Sequence, residues 1–286
     1  MDHSQLTIVS VYGHTNGSSA IPSLLKSLEE LPGSRALLIS IDKPADLPTN
    51  IEWKKIYPFN YKRYSIFIMH SLYAFIETDY CLIVQDDGWV LNGKNFKPEF
   101  YDYDFIGCPS HCGLVFNDKL EIQHLYLQFL WVNQTEHTNV QVIQNGGFSL
   151  RSKRFLEACN KHGLAHWGVD VLNINQSDGS TKTWSGIWNE DVHLTGIFRA
   201  RLEAVGYAFA PIALAKYFGV EYYSSWLHDG SAEETLDNVL GMHGPTRKLL
   251  YDNVVTIKKH AAINASGEKD VINWMAQHGY KINLID

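Results

Sequence analysis

The sequence predicts an α/β fold, a mostly parallel central sheet flanked by helices. Three observations carry that expectation. Strand and helix signals alternate through the first hundred residues, which is the pattern of a sheet built by crossover connections. The strand candidates are short continuous apolar runs rather than alternating ones, as strands buried on both faces require. The chain has 286 residues, 45% of them hydrophobic, enough to bury a sizeable core in one large domain.

Leu6–Tyr12 reads as the first strand. The loop Gly13-His14-Thr15-Asn16-Gly17-Ser18 follows, and Ser18 or Ser19 suits the N-cap of a helix running to about Glu30. Within that helix Ile21, Leu24, Leu25 and Leu28 recur at helical spacing, and Pro32-Gly33 ends it. Ala36–Ile41 and Ile51–Tyr57 are the next two strands. Tyr61–Glu77 then predicts a long helix, with Ile66, Met69, Leu72, Tyr73 and Ile76 on its core face. Its connection into the strand Tyr80–Val84 should be right-handed.

Beyond Gly88 the alternation fades. Tyr103–Gly107 and Val140–Gln144 are strand candidates, and Ser152–His162, Glu190–Val205 and Lys269–His278 read as helices. Gly206–Phe218 is apolar and offers two short strands. Gly163–Asn189, rich in Gly, Ser, Asn, Asp and Trp, reads as a lid or binding loop. Neither a repeat nor a linker divides the chain, so residues 1–286 are expected to form one domain.

Charge narrows the function classes. With 24 basic and 31 acidic residues the net charge is −7, which gives no general attraction for nucleic acid or anionic membranes. A local basic groove could still be lined by Lys54-Lys55, Lys153-Arg154, Arg247-Lys248 and Lys258-Lys259. No apolar run of membrane-spanning length and no leader pattern is seen, which predicts a soluble cytoplasmic protein without membrane insertion. Four cysteines fit reduced thiols; Cys108 and Cys112, with His111 between, lack a second pair at zinc spacing and read as ordinary loop residues.

Four motifs carry chemistry. The apolar run Tyr80–Val84 ends in Gln85-Asp86-Asp87-Gly88, placing two carboxylates beyond the carboxyl end of a strand. Adjacent carboxylates there suit a hard divalent cation shared with phosphate oxygens, although an Asp-Asp-Gly turn fits the same letters. Asn145-Gly146-Gly147-Phe148 lets backbone approach a ligand, with Ser152 capping a helix beyond it. Trp188-Asn189-Glu190-Asp191 puts two acids at a helix start, where the dipole favours them and where either could serve as a general base. In Gly241-Met242-His243-Gly244-Pro245 a histidine sits in a glycine-flanked turn, and its imidazole would suit Mn²⁺ better than Mg²⁺.

Taken in order, Gln85-x-Asp87-Gly88, Asp102-Tyr103-Asp104-Phe105-Ile106-Gly107, Asn145 to Ser152, Glu190-Asp191-Val192 and Gly241-x-His243-Gly244 resemble a group of bacterial and phage glycosyltransferase-like proteins. That group is similar to the GT-A glycosyltransferases, and the order of motifs also resembles the β-1,4-galactosyltransferases. The resemblance implies a GT-A-like fold with an acceptor-side C-terminal elaboration, in which residues 1–107 hold the nucleotide sugar, with UDP as the expected nucleotide, and 108–286 face the acceptor. It implies Asp87 and His243 as metal ligands and Asp191, beside Glu190, as catalytic base of an inverting transfer. Gln85 stands where the first acid of the metal motif is usual, and Asp86 holds the variable middle position. Asn145, Gly146 and Gly147 match the segment touching donor sugar and acceptor. His14, Thr15 and Asn16 occupy the place of the nucleotide base and ribose, and Arg63 is a diphosphate candidate. Trp188, with Trp167 and Trp184, could stack on sugar faces.

The cofactors so implied are a divalent metal (Mn²⁺ or Mg²⁺) and a nucleotide-sugar donor. The expected acceptor is a glycan. A modified cytosine in phage DNA is the alternative, the enzyme then lying in the host cytoplasm, and a non-catalytic sugar-binding module is a second alternative.

Overall fold

The computed structural model describes residues 2–117, 122–175, 181–259 and 267–286, the side chains of 170–175 and 181–186 excepted. The first half is built as expected. Strand β1 (Leu6–Tyr12) is buried along its whole length and leads through helix α1 (Ile21–Glu30) to β2 (Arg35–Ser40) and β3 (Ile51–Lys55). Helix α2 (Tyr61–His70) returns the chain to β4 (Tyr80–Ile83). Strands β2 and β3 lie to one side of β1 and β4 to the other, all four parallel. The carboxyl ends of β1 and β4 therefore meet where the strand order reverses, the place in an open α/β sheet where a crevice forms.

The sheet continues beyond β4 with changed direction. After the short strand β5 (Gly88–Val90) come β6 (Phe105–Phe116), β7 (Ile122–Tyr126) and β8 (Gln141–Ser152), followed by β9 (Val169–Asn175) and β10 (Thr181–Ile187). The order is β10-β9-β7-β6-β8-β4-β1-β2-β3, with β8 antiparallel to both β4 and β6. A small second sheet joins β11 (Gly219–Val220), β12 (Gly241–His243) and β5, and a third joins β13 (Arg247–Leu249), β14 (Val254–Lys258) and β15 (Lys281–Ile285). Leu6, Ile8, Leu24, Leu38, Leu82 and Phe148 pack one face of the main sheet, while Val9, Val11, Ile39, Ile68, Leu72 and Ile83 pack the other.

Several expectations are corrected. No side chain caps α1: Ser18–Ala20 form a 3₁₀ turn entered through Gly17, whose φ of 73° is the left-handed backbone that glycine tolerates. The predicted helix Tyr61–Glu77 stops at His70, because Ser71 leaves helical geometry (φ −130°, ψ −27°) and Leu72–Phe75 wind as a 3₁₀ turn. Ile66, expected in the core, is exposed. Gly206–Phe218 holds no strand: Pro211 is extended and opens a helix (Ile212–Phe218), whose Ile-Ala-Leu-Ala-Lys run favours that form. Cys108 and Cys112 lie within β6 rather than in a loop. The loop expected over Gly163–Asn189 is, among the described residues, largely the antiparallel pair β9 and β10. Glu190–Val205 divides into a π-helix (Val192–Ile197), a form that recurs at functional sites, and a short α-helix (Arg199–Ala204).

Candidate active site

The strand-end acids, the paired glycines, the acidic helix start and the late histidine converge. Strand β4 delivers Gln85–Asp87 to the crevice. There Asp86 N–H donates to the Tyr12 hydroxyl (3.0 Å), joining the ends of β4 and β1. Asp86 points away from the centre, with Oδ2 2.7 Å from Lys248 Nζ. Asp87 points inward. Because β12 runs antiparallel to β5 with His243 opposite Gly88, the imidazole is set one residue from Asp87. His243, expected in a turn, is the last residue of that strand.

His243 Nε2 lies 3.3 Å from Asp87 Oδ1 and 3.3 Å from Gln85 Oε1. Only the second contact is aligned as a hydrogen bond, so Asp87 Oδ1 and His243 Nδ1 remain buried without a hydrogen-bond partner. Gln85 is held from the other side, its Nε2 donating to the Tyr64 hydroxyl (2.9 Å) on α2. Burial pushes both Asp87 and His243 towards their neutral forms, but their mutual attraction outweighs it. The Asp87 pKa is therefore lowered and that of His243 raised.

These two side chains fit a divalent cation. Ligands about 2.1 Å from a metal and at right angles to each other stand about 3 Å apart, close to the 3.3 Å between Asp87 Oδ1 and His243 Nε2. An unpartnered, buried carboxylate oxygen is what a cation would satisfy. Among the described residues no third His, Cys, Asp or Glu joins them as a ligand set, so the remaining positions would fall to water or to a phosphate-bearing ligand.

The glycine pair lies inside β8. Gln144 pairs with Pro109 and Ser149 with Gly107, so Asn145–Phe148 oppose Cys108 alone and bulge out of β8. Since Ile83 pairs with Ser149, that bulge lies at the end of β4. Bulges of this kind re-aim backbone beside active sites. A Cβ on Gly147 would stand 2.3 Å from His243 Nε2 and 2.8 Å from Gln85 Oε1. One on Gly146 would stand 2.3 Å from Glu190 Oε1. Glycine is needed here for close approach. Asn145 Oδ1 accepts from Gly147 N–H (2.7 Å) and its Nδ2 donates to Glu221 Oε1 (3.3 Å).

Glu190 and Asp191 take different surroundings. Glu190 is buried against Arg151, Oε1 to Nη2 3.3 Å. Asp191 is partly exposed and caps the π-helix: Oδ1 accepts from Val192 N–H (2.8 Å) and Oδ2 from Gly146 N–H (3.1 Å). Desolvation, then the charge of Glu190, push the Asp191 pKa up to about 7. A carboxylate that titrates near neutrality is suited to general-base work.

Trp188 lies on the same side, with Lys62 Nζ 4.9 Å above its ring. Trp167 packs edge-on against His193 and Phe198, with 43% of its surface exposed, and the Trp184 side chain lies outside the described residues. His14, Thr15 and Asn16 are exposed at the end of β1, where Thr15 and Asn16 accept from Gly17 and Ser18 N–H. Arg63 is exposed on the first turn of α2 and is not drawn into the cluster around Asp87. Sequence reasoning missed Tyr64 and Glu221, and the parts played by Arg151 and Lys248, which reach the site only through tertiary pairing. The run Arg247-Lys248 after His243 was visible, but not that Arg247 is fully buried on Glu268 (Nε to Oε1 2.8 Å) while Lys248 turns to Asp86.

Residues 51–243 match the model of a family described as a protein of unknown function, DUF5672. The chain belongs to that family. The matched span contains Arg63, Gln85–Asp87, Asn145–Gly147, Glu190-Asp191 and His243, and leaves out the loop after β1. Among curated proteins none matches the sequence. Similar solved structures include the galactosyltransferase LgtC with donor and acceptor sugar analogs, at 11% identity and TM-score 0.40 over 95% of both chains. An active-site mutant of LgtC gives 12% identity and TM-score 0.44 over 97% of both chains. Likeness at this level is too slight to assign an activity to the present chain.

Proposed function

We propose that this chain is a metal-dependent glycosyltransferase of GT-A type. It moves a sugar from a nucleotide-diphosphate sugar to an acceptor hydroxyl, with a glycan as the acceptor. The observation that carries the reading is the meeting in one crevice of Asp87, His243, the Asn145–Gly147 bulge and Asp191, which are spread over more than half the sequence. Their order and content are those of the motifs resembling the GT-A enzymes. On this reading residues 1–286 are one domain, with 1–107 serving the donor and 108–286 the acceptor.

Asp87 and His243 would hold the divalent ion, which when bound supplies charge stabilisation for the departing nucleoside diphosphate. Without the ion Gln85 Oε1, in a side chain fixed by Tyr64, accepts from His243 Nε2–H, and that nitrogen would give up this bond on turning to a cation. Gly146 and Gly147 let the backbone of β8 lie against the site with no side chain filling it. Asp191 takes the proton of the acceptor hydroxyl, and the Gly146 N–H fixes the orientation of its carboxylate. Glu190, tied to Arg151, holds charge beside Asp191 and keeps it a stronger base than an ordinary aspartate. One base acting on the attacking hydroxyl corresponds to an inverting transfer.

The DNA-modifying alternative is not favoured. Arg247 is paired with Glu268, Lys248 with Asp86, Arg154 with Asp104, Lys54 with Glu52 and Lys259 with Asp286, so at least one member of each basic pair is already matched by an acid. No described helix is long and apolar enough to cross a membrane. The proposal is tested by following nucleoside-diphosphate release from a panel of nucleotide sugars with Mn²⁺ and glycan acceptors. Release that stops with chelator and falls in the Asp191→Asn variant supports it; sugar binding with no transfer for any donor or acceptor points to the non-catalytic module.

A further inference from the structure

One buried carboxylate at this site has no role in the scheme above. The parallel register of β11 and β12 pairs Val220 with Met242, so carrying it one residue further sets Glu221 beside His243. Glu221 is only 7% exposed. Its Oε1 accepts from Asn145 Nδ2 (3.3 Å), and its main-chain carbonyl accepts from Arg247 Nη2 (3.0 Å). That guanidinium makes its side-chain hydrogen bonds to the Glu268 carboxylate, not to that of Glu221. Oε2 is buried with no hydrogen-bond partner. A buried acceptor left unmade is costly, and in a native fold it points to a missing donor.

We propose that Glu221 is the sugar-recognition residue of this site, its Oε2 accepting a hydrogen bond from a hydroxyl of the sugar being transferred. The inference rests on the glycosyltransferase reading and names the part of the donor that Glu221 meets. In such a reaction the sugar must lie between the diphosphate, at the Asp87–His243 end, and the acceptor, at the Asp191 end. Glu221 stands between those ends, next to His243 on one side and joined through Asn145 to the bulge that holds Asp191 on the other. A sugar hydroxyl is a neutral donor, and a carboxylate is its strongest side-chain acceptor. A phosphate would be repelled by the same group.

The test compares wild type with Glu221→Gln, which keeps the shape and an oxygen for Asn145 but replaces Oε2 with a donor. Calorimetry with Mn²⁺ is run against the nucleoside diphosphate alone, the matching nucleotide sugar and its monodeoxy analogues. The expected result is unchanged binding of the nucleoside diphosphate and roughly ten- to hundredfold weaker binding of the nucleotide sugar. One deoxy analogue should bind both proteins alike and so identify the hydroxyl. Equal weakening of both ligands would overturn the proposal in favour of a metal or framework role, and no weakening of either would overturn it outright. If the Gln variant does not fold, Glu221→Asp, which retracts the carboxylate while keeping its charge, must show the same split. A folded wild type that binds no nucleotide sugar refutes the enzyme reading itself, and the role of Glu221 falls with it.

Discussion

Replacing Asp191 with Asn should make the protein a poorer enzyme and a more stable fold. In the native state Asp191 keeps its proton up to about 7, against an ordinary value of 3.8. Ionising it in the folded protein is therefore opposed, first by burial and then by Glu190. The sign follows from proton binding: between those two values the folded state holds more protons than the unfolded, so stability falls as pH rises through the window. The full displacement corresponds to about 4 kcal/mol at the limit, absent below pH 4 and complete above pH 7. Asn carries no charge to destabilise but keeps only one acceptor oxygen for the Val192 and Gly146 N–H groups, so the variant should be somewhat less stable than wild type near pH 3.5 and the more stable protein at pH 8. Catalysis runs the other way. As the base, a carboxylate titrating near 7 should raise the wild-type rate about tenfold between pH 6 and 8, and its removal should cost ~10²–10⁴-fold in kcat and flatten that rise. Initial rates and thermal melts over the same pH series read both arms. A variant that keeps full turnover, or that is less stable than wild type at pH 8, refutes the reasoning.

Further expectations concern the metal end and its support. Gly147→Ala should abolish metal-dependent donor binding in calorimetry while leaving the circular dichroism unchanged, because its Cβ would occupy the space of His243 Nε2. In metal-free protein Asp87→Asn should lower the melting temperature most between pH 5 and 6.5. There the raised His243 and lowered Asp87 pKa values keep both charged, and the loss should fade as His243 deprotonates at higher pH. Arg247→Met should cost about 3–5 kcal/mol by denaturant titration, since it leaves Glu268 charged, buried and unpaired.

The parallel half of the sheet was legible because β1, β2 and β4 are apolar runs whose residues are all or nearly all buried, and burial on both faces leaves few other patterns. The strand-end acids were legible for the same reason: a run such as Tyr80–Val84 that stops on Gln-Asp-Asp-Gly announces its own carboxyl end. The second half was not. The glycine pair was legible as a place of close backbone approach but not as a bulge, because a bulge in β8 is defined by what opposes it in β6, which local sequence does not carry. The hairpin β9–β10 has turn-rich composition and takes its strand geometry from sheet pairing. Glu221 followed an apolar segment with no motif around it, and its place beside His243 exists only through the register of β11 on β12. Residue types could propose a metal pair and a base; only the folded chain shows that one acid of each Asp-Asp and Glu-Asp pair faces a cation, Lys248 for Asp86 and Arg151 for Glu190.

The central claim, that Asp87 and His243 hold a divalent ion for a nucleotide-sugar donor, is tested most directly by calorimetry of the purified protein against a panel of nucleotide sugars, with Mn²⁺ and with chelator. The account predicts binding of one donor that disappears with chelator and in the Asp87→Asn variant. Binding that survives both, or a folded protein that binds no donor, would contradict it.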